Sequence, residues 1–165
     1  MKIYHYTNVI NLHGIQHKGL KTISSNDRQM WHPVSQDFKN AVWAFDEAIP
    51  QKWIKNTSST IYNLTCLFGH CAGGDTLTLL EIDLPDDTEL WATDWTYACA
   101  DVRASDGPNY YKSIVPYTGK DCLNGFKLPE IICFDDISPE YIKQISIPNE
   151  VRPHVRPIDL MTPPY

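Results

Sequence analysis

The 165-residue chain has no stretch approaching the roughly 20 apolar residues of a membrane span, and no apolar core of a signal peptide near its start. A cytoplasmic protein is therefore expected, although a chain delivered into a target cell by a dedicated secretion machine would read the same way. There is no Cys-x-x-Cys, no Gly-x-Gly-x-x-Gly and no P-loop, so the common redox, dinucleotide and nucleoside-triphosphate motifs are missing. No internal repeat is visible. Basic residues are outnumbered, 14 Lys and Arg against 20 Asp and Glu, for a net charge of −6. That balance argues against unaided, non-specific grip on nucleic acid, which rests on neutralising phosphates, but leaves room for a local basic groove.

Five cysteines stand scattered at Cys66, Cys71, Cys99, Cys122 and Cys133, an odd count that suits a reducing compartment better than a disulfide framework. Cys66, His70 and Cys71 crowd into "CLFGHCAGGD", but the spacing fits no common zinc pattern and no second ligand pair follows. His13 and His17 lie four apart on one helix face and read as a solvated face, because no third ligand completes a metal site. No metal is expected. The sequons at Asn56 and Asn63 matter only in a secreted chain.

Hydrophobic residues make up 42% and charged residues 21%, the balance of one soluble globular domain. "KIYHY" (2–6) predicts a short strand of β-formers. Thr7 or Asn8 caps the next helix, Val9, Leu12 and Ile15 give it an apolar stripe, and Gly19 with Leu20 ends it. Asn26 to Gln29 read as loop. A strand is expected around 42–45 and a short helix from Pro50. A further helix is expected around "STIYNLTCLF", followed by the loop "GHCAGGD".

"TLTLLEIDLP" (76–85) is a strong strand, "TELWATDWTYA" (88–98) another extended piece, and "RASDGPNYY" turn-rich. "EIICF", "SPEYI" and "KQISI" then give strand, capped short helix and strand. Proline is dense from Pro148 onward, so 1–147 is expected to form the domain and 148–165 a tail lying along it or partly loose. The inventory predicts an α+β fold with mainly antiparallel sheets rather than a doubly wound parallel one.

The order "YHYT", "HKGL", "LLEIDLP" and "PEIICFDDISPEYIKQI" resembles the small ADP-ribosyltransferase-like fold in its His–Tyr–Glu form, with an opening similar to the DarT-like bacterial toxins. The resemblance covers 1–147. It implies two small sheets forming a cleft, flanked by short helices, across which NAD⁺ lies as co-substrate. It implies that His5 contacts either the ribose on the nicotinamide side or the adenosine part, with the Tyr6 and Thr7 backbone near the carboxamide. It also implies that Glu130, at the start of a late strand, stabilises the cation that develops at C1′ when the nicotinamide bond breaks.

Glu140 is the rival carboxylate, though it reads as a first-turn residue favoured by a helix dipole. For the ring that stacks on nicotinamide the candidates are Trp43 and Phe45, then Trp31, then Tyr110 or Tyr111; the family's tyrosine has no clean counterpart. The loop Gly119–Lys127 would face the acceptor, with Asn124 and Phe126 selecting it. The implied activity is transfer of ADP-ribose to a macromolecular acceptor, nucleic acid or protein, by a toxin, effector or phage-conflict protein opposed by an antitoxin or immunity protein.

Two other functions fit the residues. One is a non-catalytic binding or immunity module on the same scaffold, whose acidic balance suits a basic partner. The other is a thiol hydrolase or transferase with Cys71 or Cys122 as nucleophile, though neither lies in a recognisable activating motif.

Overall fold

The computed structural model describes residues 1–22, 29–56, 77–100 and 107–152. The expected helix around "STIYNLTCLF", the Cys66–His70–Cys71 group, Asn63 and most of the tail lie outside them. The described strands form three antiparallel sheets, in place of the two expected. The first orders β1 (Lys2–Asn8), β5 (Leu77–Asp83) and β9 (Ile142–Ile145) with β5 central. The second orders β4 (Val42–Ala44), β8 (Pro129–Cys133), β6 (Trp91–Asp94) and β7 (Val115–Pro116). The third is a hairpin of β2 (Met30–His32) and β3 (Asp37–Lys39).

Burial explains the apolar runs. One face of β1–β5 (Ile3, Leu80, Ile82) packs with Val42, Ala44, Ala92 and Ile131 of the four-stranded sheet. Its other face places Tyr6, Leu77 and Leu79 against Phe45, Trp53, Leu128 and Val151. β5 is thus covered on both sides, which is why its sequence shows little alternation. The reverse of the four-stranded sheet carries Trp91 and Ile132 against Met30, Tyr110 and Ile114. Val151, completely buried, fastens the first residues of the expected tail onto the domain.

Four local expectations are corrected. The segment after β1 begins with a 3-10 turn, Val9–Asn11, before α1 (Leu12–Lys18); Asn8 caps the turn through a bond from the Ile10 amide, 3.0 Å, and Val9 is exposed rather than in the apolar stripe. The "TELWATDWTYA" stretch breaks into β6 and α3 (Trp95–Ala100). "RASDGPNYY" ends in α4 (Gly107–Lys112), where Pro108 occupies the first turn and its missing N–H costs nothing. "SPEYI" closes as a single 3-10 turn, Pro139–Tyr141. The expected helix after Pro50 is α2 (Gln51–Asn56).

Gly19 ends α1 for two reasons. Its φ is +75°, and a Cβ there would sit 2.0 Å from the Ile137 carbonyl oxygen. That approach lets Leu20 and Ile137 exchange backbone hydrogen bonds of 2.9 Å, tying α1 to the strand region after β8. Gly14, exposed inside α1, has nothing within 4 Å of a built Cβ. We predict opposite signs: Gly14→Ala stabilises by about 0.5–1 kcal/mol, whereas Gly19→Ala destabilises by more than about 1 kcal/mol. Urea unfolding of both variants checks this.

Candidate functional site

β1 and β4 meet at one bridge and then part. Tyr4 and Phe45 exchange backbone bonds of 2.8 and 2.7 Å. Continuing that register, the Tyr6 amide would reach the Trp43 carbonyl, because alternate residues of a strand address the same edge. Instead Nδ1 of His5 bonds to that carbonyl at 2.6 Å. The histidine ring occupies the fork where two sheets diverge. A carbonyl oxygen only accepts, so Nδ1 carries the proton and the neutral ring offers Nε2 as an acceptor. Burial lowers the His5 pKa, with the Trp43 bond opposing it, and this favours the neutral form.

The same pleat divides the other β1 candidates. Tyr6 directs its backbone toward the β4 side, whereas Thr7 addresses β5, where it pairs with Thr78. The Thr7 backbone is therefore committed to the sheet, and its hydroxyl accepts from Asn11 at 3.2 Å. The Tyr6 ring lies in the core, its hydroxyl donating to the Ala48 carbonyl, and burial raises its pKa. Only its backbone remains a candidate contact.

Glu130 is 1% exposed, on a strand paired on both sides, so it is neither a sheet-edge nor a solvent-facing glutamate. β1 and β8 flank β4, so their backbones are about 10 Å apart, two strand spacings. Ala44 pairs with Ile131, which sets Glu130 level with Phe45 and hence with Tyr4. The faces differ: Glu130 leaves β8 on the side of Thr93 and Ile132, while His5 leaves β1 on the side of Ile3. The two therefore sit at one level on strands separated by β4, with side chains on opposite faces. Glu140 is exposed on its 3-10 turn.

The segment before Glu130 is pinned from two directions, a feature unseen in the sequence because its parts come from distant elements. From α2, Lys52 donates to the Leu123 carbonyl at 2.7 Å, Asn56 to Lys127 at 2.9 Å and the Trp53 indole to Pro129 at 2.7 Å. From the end of β6, Asp94 accepts the Lys127 and Leu128 amides at 2.8 and 3.0 Å. Only the tip 124–126 projects. Asn124 and Phe126 line a cleft of about 610 Å³ together with Asp94, Tyr97, Lys112 and Ser113. Asn124 also borders a smaller cavity of about 190 Å³, bounded by Asp46, Glu47, Lys52 and Lys120. Burial beside Glu47 raises the Asp46 pKa there.

Among the aromatic candidates, Phe45 is core: 4% exposed, edge-on to Tyr6 at 5.9 Å and to Trp53 at 5.8 Å. It has no face to offer a ligand. Tyr110 is likewise buried, its hydroxyl 3.3 Å from Met30 sulfur. Trp43 is half-buried beside the fork, on the Ile132 side of its sheet. Trp31 and Tyr111 are half-buried against the same cluster as Trp43 and contact exposed Phe38, at centroid distances of 5.3–5.9 Å. Trp43 is therefore the candidate positioned nearest His5.

His13 and His17 are exposed, with rings 4.3 Å apart, and no metal-binding group of His, Cys, Asp or Glu occurs among the described residues. Cys133 is buried, bonds to the Asp135 carbonyl at 3.4 Å and has its pKa raised by burial. No described helix is long and apolar enough to cross a membrane. Comparison with family models, with curated proteins and with solved structures gives no match.

The lowered His5 pKa has a definite sign. Between the ordinary value of about 6.5 and the folded value, the unfolded chain takes up a proton that the folded chain resists. The His5 contribution is complete above about pH 6.5 and is lost as pH falls through the folded pKa. We predict that the stability difference between wild type and His5→Gln narrows on acidification below that point. Urea titrations of both proteins at matched pH cancel the contributions of other groups; a constant difference would contradict the assignment.

Proposed function

We propose that the protein is an NAD⁺-consuming ADP-ribosyltransferase acting on a macromolecular acceptor, nucleic acid or protein, in the manner of a toxin, effector or phage-conflict protein. The supporting observation is the fork: a part-buried His5 whose Nδ1 is bonded to the Trp43 carbonyl, which leaves Nε2 as an acceptor, and the buried carboxylate Glu130 at the same level two strand spacings away. An acceptor nitrogen suits a ribose hydroxyl. The α+β architecture of small antiparallel sheets accommodates this reading.

In this mechanism the nicotinamide–ribose C–N bond breaks and nicotinamide leaves with the bonding pair. Positive charge develops at C1′ and the ring oxygen, where a carboxylate in a dry site stabilises it strongly. The acceptor nucleophile then bonds to C1′ and its proton passes to Glu130 or water. Because Glu130 is closed to solvent, a dinucleotide reaches it only after the fork opens. Trp43 is the stacking ring that best suits this pose, and the tip with Asn124 and Phe126 presents the acceptor. An antitoxin or immunity protein would act by covering the same cleft.

One observation favours a second reading. The closure of Glu130, and its departure from the opposite face to His5, equally suit a scaffold that keeps the shape and binds a basic partner without chemistry. Of the two thiol candidates, Cys122 packs half-buried against the core, and Cys71 lies outside the described residues. We predict that wild type releases nicotinamide from NAD⁺ and that Glu130→Gln, with an unchanged circular dichroism spectrum, loses at least about a hundredfold of that rate. No NAD⁺ binding by calorimetry at millimolar ligand would select the non-catalytic module instead.

A further inference from the structure

Asp94 has a place that no motif announces. It ends β6, is 4% exposed, and spends its carboxylate on three backbone amides: Thr96 at 3.0 Å in its own chain reversal, and Lys127 and Leu128 across the sheet. The Leu128 carbonyl in turn accepts from the Trp95 amide at 2.9 Å. Asp94 pairs with Pro129, the residue immediately before Glu130. Its neighbour Thr93 pairs with Glu130 itself, and the Thr93 and Ser113 hydroxyls lie 2.7 Å apart. One residue therefore joins the floor of the larger cleft, the base of the projecting tip and the strand that carries the carboxylate.

α2 closes the same segment from the other side through the Leu123, Lys127 and Pro129 carbonyls. Amides are held by Asp94 and carbonyls by α2, so residues 127–129 have almost no freedom, whereas 124–126 between them have only the Asn124 and Phe126 amide bonds at 3.2 and 3.1 Å. A rigid base under a short tip is the arrangement by which a misplacement of an ångström becomes a rate effect.

We infer that Asp94 is the positioning residue of the site, fixing Glu130 and the 124–126 tip relative to one another; the catalytic half of this inference rests on the transferase reading above. Carboxylate is required because every partner is a donor. Asp94→Asn keeps the shape but turns an NH₂ donor toward one of these amides, so at least one loses its acceptor.

The test combines two readouts on full-length protein. Amide hydrogen exchange at Lys127 and Leu128 should accelerate at least about tenfold in Asp94→Asn while Ile131 and Ile132 keep their protection. Nicotinamide release should lose about a hundredfold in kcat with the KM for NAD⁺ changed by less than about threefold. Asn56→Ala, at an exposed helix end, frees the Lys127 carbonyl without touching the core and should give the same split at about a tenth of the size. Uniform loss of protection through the sheet, or kcat and KM unchanged in both variants, would overturn the inference. A wild type that never releases nicotinamide would remove the transferase reading and the catalytic role together. The exchange pattern would still decide whether Asp94 fixes the segment.

Discussion

The bond between the His5 imidazole and the Trp43 carbonyl is the constraint on which the rest depends. Had the Tyr6 amide taken that carbonyl, β1 and β4 would continue as one ladder and the two larger sheets would merge into a single surface. A side chain in place of a backbone donor ends the ladder after one bridge without leaving the carbonyl unsatisfied. It also fixes the tautomer, since the bonded nitrogen must carry the proton. Fold and chemistry meet at this point: the interaction that splits the sheets is the one that leaves Nε2 as an acceptor.

Behind the fork, packing holds both walls. Ile3, Leu80 and Ile82 press against Ala44 and Ile131, while Phe45 is wedged edge-on between Tyr6 and Trp53 on the reverse side. Trp53 also holds the Pro129 carbonyl, so one side chain serves the core and the strand carrying Glu130. The aromatic contacts make Phe45 structural, which leaves Trp43, two residues earlier on the same strand and owner of the bonded carbonyl, as the ring adjoining the fork. Loop and strand on the Glu130 side are similarly over-determined by Asp94 and α2.

Much of the fold was legible because its signals are local. The β-formers of β1, the apolar run of β5, and Pro50 before α2 each follow from a few neighbouring residues. Errors arose where tertiary contacts overrode local preference. Trp91 and Tyr97 read as one extended piece, yet Asp94 caps the chain reversal between β6 and α3 by accepting the Thr96 amide. The β2–β3 hairpin escaped because its turn uses Gln36 at a φ of +56°, a conformation its residue type does not advertise. For the site, His5 and Glu130 could be singled out as residues but not placed on faces. Asp94, Trp53 and Asn56 were invisible, since their partners are backbone groups and leave no pattern in side-chain identity.

The central claim is that His5 presents Nε2 to a ligand that enters the fork. Nitrogen-15 NMR of the histidines, recorded during titration with NAD⁺, tests it most directly. The account predicts that free protein shows His5 as the Nδ1–H tautomer, and that NAD⁺ shifts the His5 Nε2 resonance while exposed His13 and His17 stay in place. A His5 protonated on Nε2, or one indifferent to saturating NAD⁺, would contradict it.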